Sequence, residues 1–140
     1  MTILYTAEAV ATGAGRNGHT RTTDGHVDLD LAVPVEMGGA GGAANPEDLF
    51  AAGYAACFHS ALQLVARRAK VDLGESSVGA RVGIGPNDQG GFGLEVTLEV
   101  VIPGLAAEQA QQLADAAHQV CPYSNATRGN IPVTITVSAD

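Results

Sequence analysis

Basic side chains are scarce in this chain of 140 residues, where seven Lys and Arg stand against fifteen Asp and Glu for a net charge of −8. A surface of that sign repels phosphate backbones and anionic lipid headgroups, so nucleic acid and membrane are not expected partners. Long hydrophobic runs are lacking too. No stretch approaches the roughly 18 apolar residues that a bilayer span needs, and MTILYTAEAVATG carries no basic residue ahead of its apolar part. A mature, cytoplasmic protein is expected. Repeats and linkers are also missing, and with 46% hydrophobic residues this points to a single domain, residues 1–140, with its own core.

Cysteine is nearly absent, and the two that occur stand in distinct settings. Cys57 lies in the apolar run NPEDLFAAGYAACFHSAL and Cys121 heads CPYSNATRGN. Free Cys most often fills core space as a small hydrophobe. In a reducing compartment a permanent disulfide is uncommon, whereas a transient catalytic or sensing one is the usual exception. The pair is therefore the constellation best able to carry chemistry.

Periodicity predicts a strand over 3–12 and a hairpin over 19–31 closed by Asp24-Gly25. Residues 35–44 read as loop. Asn45-Pro46-Glu47-Asp48 supplies an N-cap, proline at the first helical position and two first-turn acids. That helix is expected to run to about Lys70, apolar on every side from Leu49 to Phe58 and so buried all round. Strands over 78–85 and 92–102, a helix over 106–120 and a last strand with Ile131, Val133, Ile135 and Val137 inward complete the pattern. The expected class is α+β, with antiparallel sheets around a central buried helix.

Three other motifs carry less. Gly13 to Gly18 matches GxGxxG by letter, but a dinucleotide site needs that run to open a helix, and a hairpin follows instead. Cys57, His59, His118 and Cys121 form a CxH…HxxC set, yet residues two apart on a helix point away from each other, so no metal is expected. A Cys-His hydrolase needs one of those histidines as base, and spacing does not show it.

On the long helix Phe50, Tyr54, Cys57 and Ala61 share a face. Phe50, Tyr54 and Phe58 are candidate walls of an apolar substrate pocket beside Cys57. Burial alone raises a thiol pKa, so a reactive Cys57 needs a cation. Only Arg16 and Arg21 are basic within residues 1–66, and Arg16 sits in a glycine-rich loop able to fold over a site. Glu47 is its candidate carboxylate partner. Along one unbroken helix Glu47 and Cys57 lie about 15 Å apart, so either Gly53 bends the helix or another subunit contributes. Cys121, before Pro122, leaves helical backbone and stands at the start of a new turn that favours a thiolate; it could resolve a sulfenic acid on Cys57.

GGAGGAANPEDLFAAGYAACF and VCPYSNATRGN resemble the two signature segments of the organic hydroperoxide resistance (Ohr) family, within the group that also holds the osmotically inducible OsmC proteins. The resemblance extends over nearly the whole chain. It implies an intertwined homodimer and a thiol peroxidase that reduces alkyl and fatty-acyl hydroperoxides. It further implies Cys57 as peroxidatic cysteine, Cys121 as resolving cysteine, Arg16 as thiolate activator with Glu47 as its salt-bridge partner, and a lipoylated protein or other dithiol as reductant. No metal, haem, flavin or other cofactor is expected. An OsmC-branch peroxidase of broader specificity and a non-catalytic module holding a hydrophobic ligand are the alternatives.

Overall fold

The computed structural model describes residues 1–139, which divide into two compact units, Met1–Leu49 and the residues from Phe50 onward. The first is an antiparallel meander of β1 (Ala9–Thr12), β2 (His19–Thr22) and β3 (Asp28–Asp30). Its first strand is shorter than the pattern predicts. β2 ends at Thr22 opposite Ala9, so Ile3, Leu4 and Tyr5 have no ladder partner in this sheet and stay exposed. The Gly13–Gly18 run is the β1–β2 connection, a single 3-10 turn over Gly15–Asn17, and β2 follows it directly. A Cβ at Gly18 would stand 2.2 Å from the Thr12 carbonyl oxygen, so that glycine serves turn closure. After β3 the chain makes a 3-10 turn at Val35–Met37 and returns to bridge Leu31 with Ala44.

Helix α1 spans Pro46–Arg68 without interruption. The Asn45 side-chain oxygen caps it by accepting from the Asp48 N–H at 2.8 Å, as the Asn-Pro-Glu-Asp pattern predicts. It stops at Lys70, which takes a left-handed conformation with φ 58°. There Val71 N–H reaches the Ala66 carbonyl and Lys70 N–H the Arg67 carbonyl, the double closure usually built on glycine. The expected terminator, Gly74, lies beyond this closure.

In the second unit β4 (Ser77–Pro86) and β5 (Phe92–Val101) form a long hairpin, and β6 (Val133–Ser138) pairs with β5 in parallel. The expectation of purely antiparallel sheets fails at that pair. Between β5 and β6 the chain crosses over through α2 (Ala107–Val120) and α3 (Pro122–Thr127), the kind of connection a parallel neighbour requires. Val96, Leu98 and Val100 of β5 pack with Ala110, Leu113, Ala114 and Ala117 of α2 and with the inner face of α1.

That inner face is Tyr54, Phe58, Ala61, Leu62, Val65 and Ala66. α1 is not covered on every side as predicted: Ala52, Ala56 and Ser60 are exposed. Small alanines raise the hydropathy of that stretch while standing outside the core. By length and composition α1 is also apolar enough to cross a membrane, with a mean hydropathy of 1.4, which corrects the reading that no segment is. Its larger side chains are built into the core beside β5 and α2, the arrangement of an amphipathic core helix.

Candidate active site

The two cysteines meet. Cys121 Sγ lies 3.6 Å from Cys57 Sγ and donates its S–H towards it. Cys57 is half-buried on α1, while Cys121 is fully buried between α2 and α3. Disulfide closure to about 2.05 Å needs a further approach of only about 1.5 Å.

Local chain rules place Cys121. Its N–H still bonds the Ala117 carbonyl and so closes α2, but Pro122 forces it into extended backbone with ψ 122°. Its carbonyl then accepts from Asn125, and its sulfur accepts from the Ser124 N–H at 3.5 Å. Cys121 is thus the side-chain N-cap of α3, with Pro122 in the first helical position.

Of the groups around Cys57, the Tyr123 N–H is the one that favours its thiolate. Burial nevertheless pushes its pKa up, the neighbouring Cys121 adds to that, and the Tyr123 N–H only partly opposes it. A thiolate at Cys57 would need a cation beside it.

The first unit holds an arginine–carboxylate pair. Arg16 Nη1 and Nη2 donate to Glu47 Oε2 and Oε1, each at 2.7 Å. The fork keeps the Glu47 carboxyl below the usual carboxylate range and raises the Arg16 guanidinium above its ordinary value. Glu47 is 14% exposed and Arg16 36%, and two of the five guanidinium donors are spent on the fork. The predicted pair is therefore formed within one chain. It rests on two placements: the 3-10 turn at Gly15–Asn17, which carries Arg16, and the capped first turn of α1, which carries Glu47.

The predicted pocket walls part company. Tyr54 and Phe58 are fully buried core residues, so they do not line an open pocket in the chain. Only Phe50 borders a cleft, about 410 Å³ in volume, with Leu94, Tyr123, Ala126 and Ile131. Cys57 itself opens on a second cleft of about 340 Å³ with Ser60, Leu64, Arg67, Val120 and Pro122.

Spacing alone did not expose a buried polar network beneath the thiols. Ser124 Oγ lies 2.8 Å from Tyr54 Oη and 2.8 Å from His118 Nδ1, and Tyr54 Oη is 3.1 Å from Thr127 Oγ1. Thr127 Oγ1 donates to the Ser124 carbonyl. The signal was present in Ser124 and Thr127, three apart on a short helix and so on one face. His118 is accordingly half-buried, not exposed as its place near a helix end suggests; burial lowers its pKa, and the Arg128 charge lowers it further. His59 bonds Ser76 and approaches Gln63. Neither histidine is hydrogen-bonded to a thiol among the described residues. Among the described residues no group of three or more metal-ligating side chains is present.

Fold and dithiol together define a two-cysteine α+β protein of the OsmC type, and the OsmC-like protein family matches residues 39–136. An organic hydroperoxide resistance protein of Xanthomonas axonopodis pv. citri (strain 306) is 54% identical, covering 97% of this chain and 96% of its own. The crystal structure of an organic hydroperoxide resistance protein from Elizabethkingia anophelis matches with a TM-score of 0.95 at 57% identity over 100% of both chains. OhrB of Bacillus subtilis matches at 0.88 and 42% identity, over 97% of this chain and 100% of that one. The chain belongs to the organic hydroperoxide resistance (Ohr)/OsmC family.

Proposed function

We propose that this protein is a cysteine-based peroxidase that reduces organic hydroperoxides to alcohols. The observation that carries this reading is the pair of thiols 3.6 Å apart, one half-buried and reachable, the other buried and donating to it. Family membership supports the substrate class.

In the first step the Cys57 thiolate attacks the terminal peroxide oxygen. An S–O bond forms, the O–O bond breaks, and the alkoxide takes a proton to leave as alcohol, with Cys57 oxidised to a sulfenic acid. Cys121 then attacks that sulfur. The S–S bond forms, and hydroxide leaves with the Cys121 proton as water. A dithiol reopens the disulfide by exchange and is itself oxidised. A lipoyl dithiol on a partner protein is the reductant assigned to this step.

Arg16 is the cation assigned to the thiolate, and Glu47 the group that tethers it. A guanidinium cannot lose its charge at neutral pH, and its remaining donors can also bond the developing oxyanion. A homodimer belongs to the same reading, since the outward alanine face of α1 is apolar and uncovered in one chain. So does the cytoplasm, because the cycle starts from two reduced thiols.

The test is a thiol titration followed by turnover. Stoichiometric organic hydroperoxide is expected to remove both free thiols, and a dihydrolipoyl donor to sustain peroxide consumption that thioredoxin does not. An unchanged thiol titre would instead leave a hydrophobic-ligand module with two inert cysteines.

A further inference from the structure

One polar group beside Cys57 has no task in this scheme. The Tyr123 hydroxyl makes no hydrogen bond among the described residues, although the ring is fixed against Phe50 and Tyr54 with centroids 6.2 and 5.7 Å away. Its position is set by a glycine. A Cβ at Gly53 would stand 3.1 Å from Tyr123 Oη and 3.2 Å from Cε2, so the phenol lies in the gap that Gly53 leaves on α1. Gly53 is four residues before Cys57, on the same face of the helix. Cys57 opens on the neighbouring cleft lined by Val120 and Pro122, and Pro122 directly precedes Tyr123 in the chain. Cβ positions four apart are separated by about 5–6 Å, which puts the phenol oxygen no more than about 9 Å from the Cys57 Cβ. The ring edge remains open, with Tyr123 40% exposed, and it borders the apolar cleft with Phe50 and Leu94.

We propose that Tyr123 is a catalytic residue, the hydrogen-bond donor and general acid to the oxygen that leaves when Cys57 attacks an organic hydroperoxide. This rests on the peroxidase reading above. An alkoxide is a poor leaving group in a partly apolar site, and it needs a proton as the O–O bond breaks. Cys121 is badly placed to give one, because its S–H is directed at Cys57 and its sulfur is capped by Ser124. The phenol donates to the carbon-bound oxygen while the S–O bond forms to the terminal one. Alcohol leaves, and the phenolate recovers its proton from water. One residue then serves both ends of the reaction: its backbone N–H at the sulfur and its side chain at the leaving oxygen.

Tyr123→Phe keeps the ring stacking and removes only the hydroxyl. The experiment measures the rate of the first oxidation of Cys57 in rapid mixing, with a tertiary alkyl hydroperoxide and with a peroxy acid, whose carboxylate leaves without a proton. The variant is expected to lose at least about tenfold on the alkyl hydroperoxide and to stay within about twofold of the parent on the peroxy acid, since general-acid help matters only for the basic leaving group. Equal loss on both substrates would assign Tyr123 to packing alone, and no loss on either would remove it from the reaction. Failure of the unmodified protein to oxidise Cys57 with either peroxide would instead overturn the underlying function, a result separable from the other two.

Discussion

Gly53→Ala sets two known quantities against each other. Alanine in a helix interior is favoured over glycine by roughly 0.5–1 kcal/mol, so at a free position this change would stabilise α1. Here the new methyl would stand 3.1 Å from the Tyr123 hydroxyl oxygen and 3.2 Å from its ring, inside the optimum of about 3.5–4.0 Å for carbon contacts. The ring must retreat by a few tenths of an ångström, against Phe50 and Tyr54, which flank it. Overpacking of that kind costs about 1 kcal/mol or more, so the propensity gain is offset and net stability should change by less than about 1 kcal/mol. The thiol is the sensitive reporter. Tyr123 supplies the N–H that lowers the Cys57 pKa against burial, and a displaced Tyr123 weakens that bond, so the pKa should rise. Denaturant melts give the first quantity and thiolate absorbance against pH in Cys121→Ser the second. A stability gain near the full 1 kcal/mol with an unmoved Cys57 titration would show that Gly53 is not the seat of Tyr123.

Ser124→Ala removes the hub shared by Tyr54 and His118; Tyr54 keeps Thr127, and the loss should be about 1–3 kcal/mol in denaturant melts. The Glu47 carboxyl is depressed by Arg16, so its contribution to stability is complete above the unfolded carboxylate pKa of about 4.3 and disappears as pH falls through the lower folded value. Acid titrations of the parent and Glu47→Gln should therefore differ at neutral pH and converge at the acid end. Mixing Cys57→Ser with Glu47→Ala subunits should restore activity if a heterodimer assembles one good site from two chains, whereas heterodimers without recovery would assign the arginine–carboxylate pair to the thiol of its own chain.

Where chemistry is dictated by neighbours in sequence, the reading from residues reached the structure closely. The Asn45 cap, the proline-induced exit of Cys121 from α2 and the alternation of β5 depend on one or a few adjacent positions, and all were legible. Partnership across the chain was legible through composition and the family resemblance: Arg16 stood out because cations are so few and Glu47 because it was a carboxylate at a helix start, while the resemblance paired them and paired the two cysteines. The parallel β5–β6 pair was hidden, since alternation reports a buried face and not strand direction. Ile3 to Tyr5 read as part of a strand and find no ladder partner among the described residues, because β2 ends opposite Ala9. Tyr54 and Phe58 were read as pocket wall; hydropathy cannot distinguish a side chain that lines a cleft from one sealed behind it. The task of Gly53 was missed for a similar reason, as a bend and a seat for a distant ring both call for a residue without a side chain.

The central claim is that an organic hydroperoxide oxidises Cys57 and that Cys121 then closes on it. Intact-mass measurement after one equivalent of an alkyl hydroperoxide tests it most directly. The parent should lose about 2 Da as two thiols become a disulfide, Cys121→Ser should gain about 16 Da on Cys57 as a sulfenic acid, and Cys57→Ser should be unchanged. Oxygen added at Cys121 in the Cys57→Ser protein, with peroxide still consumed, would contradict the account.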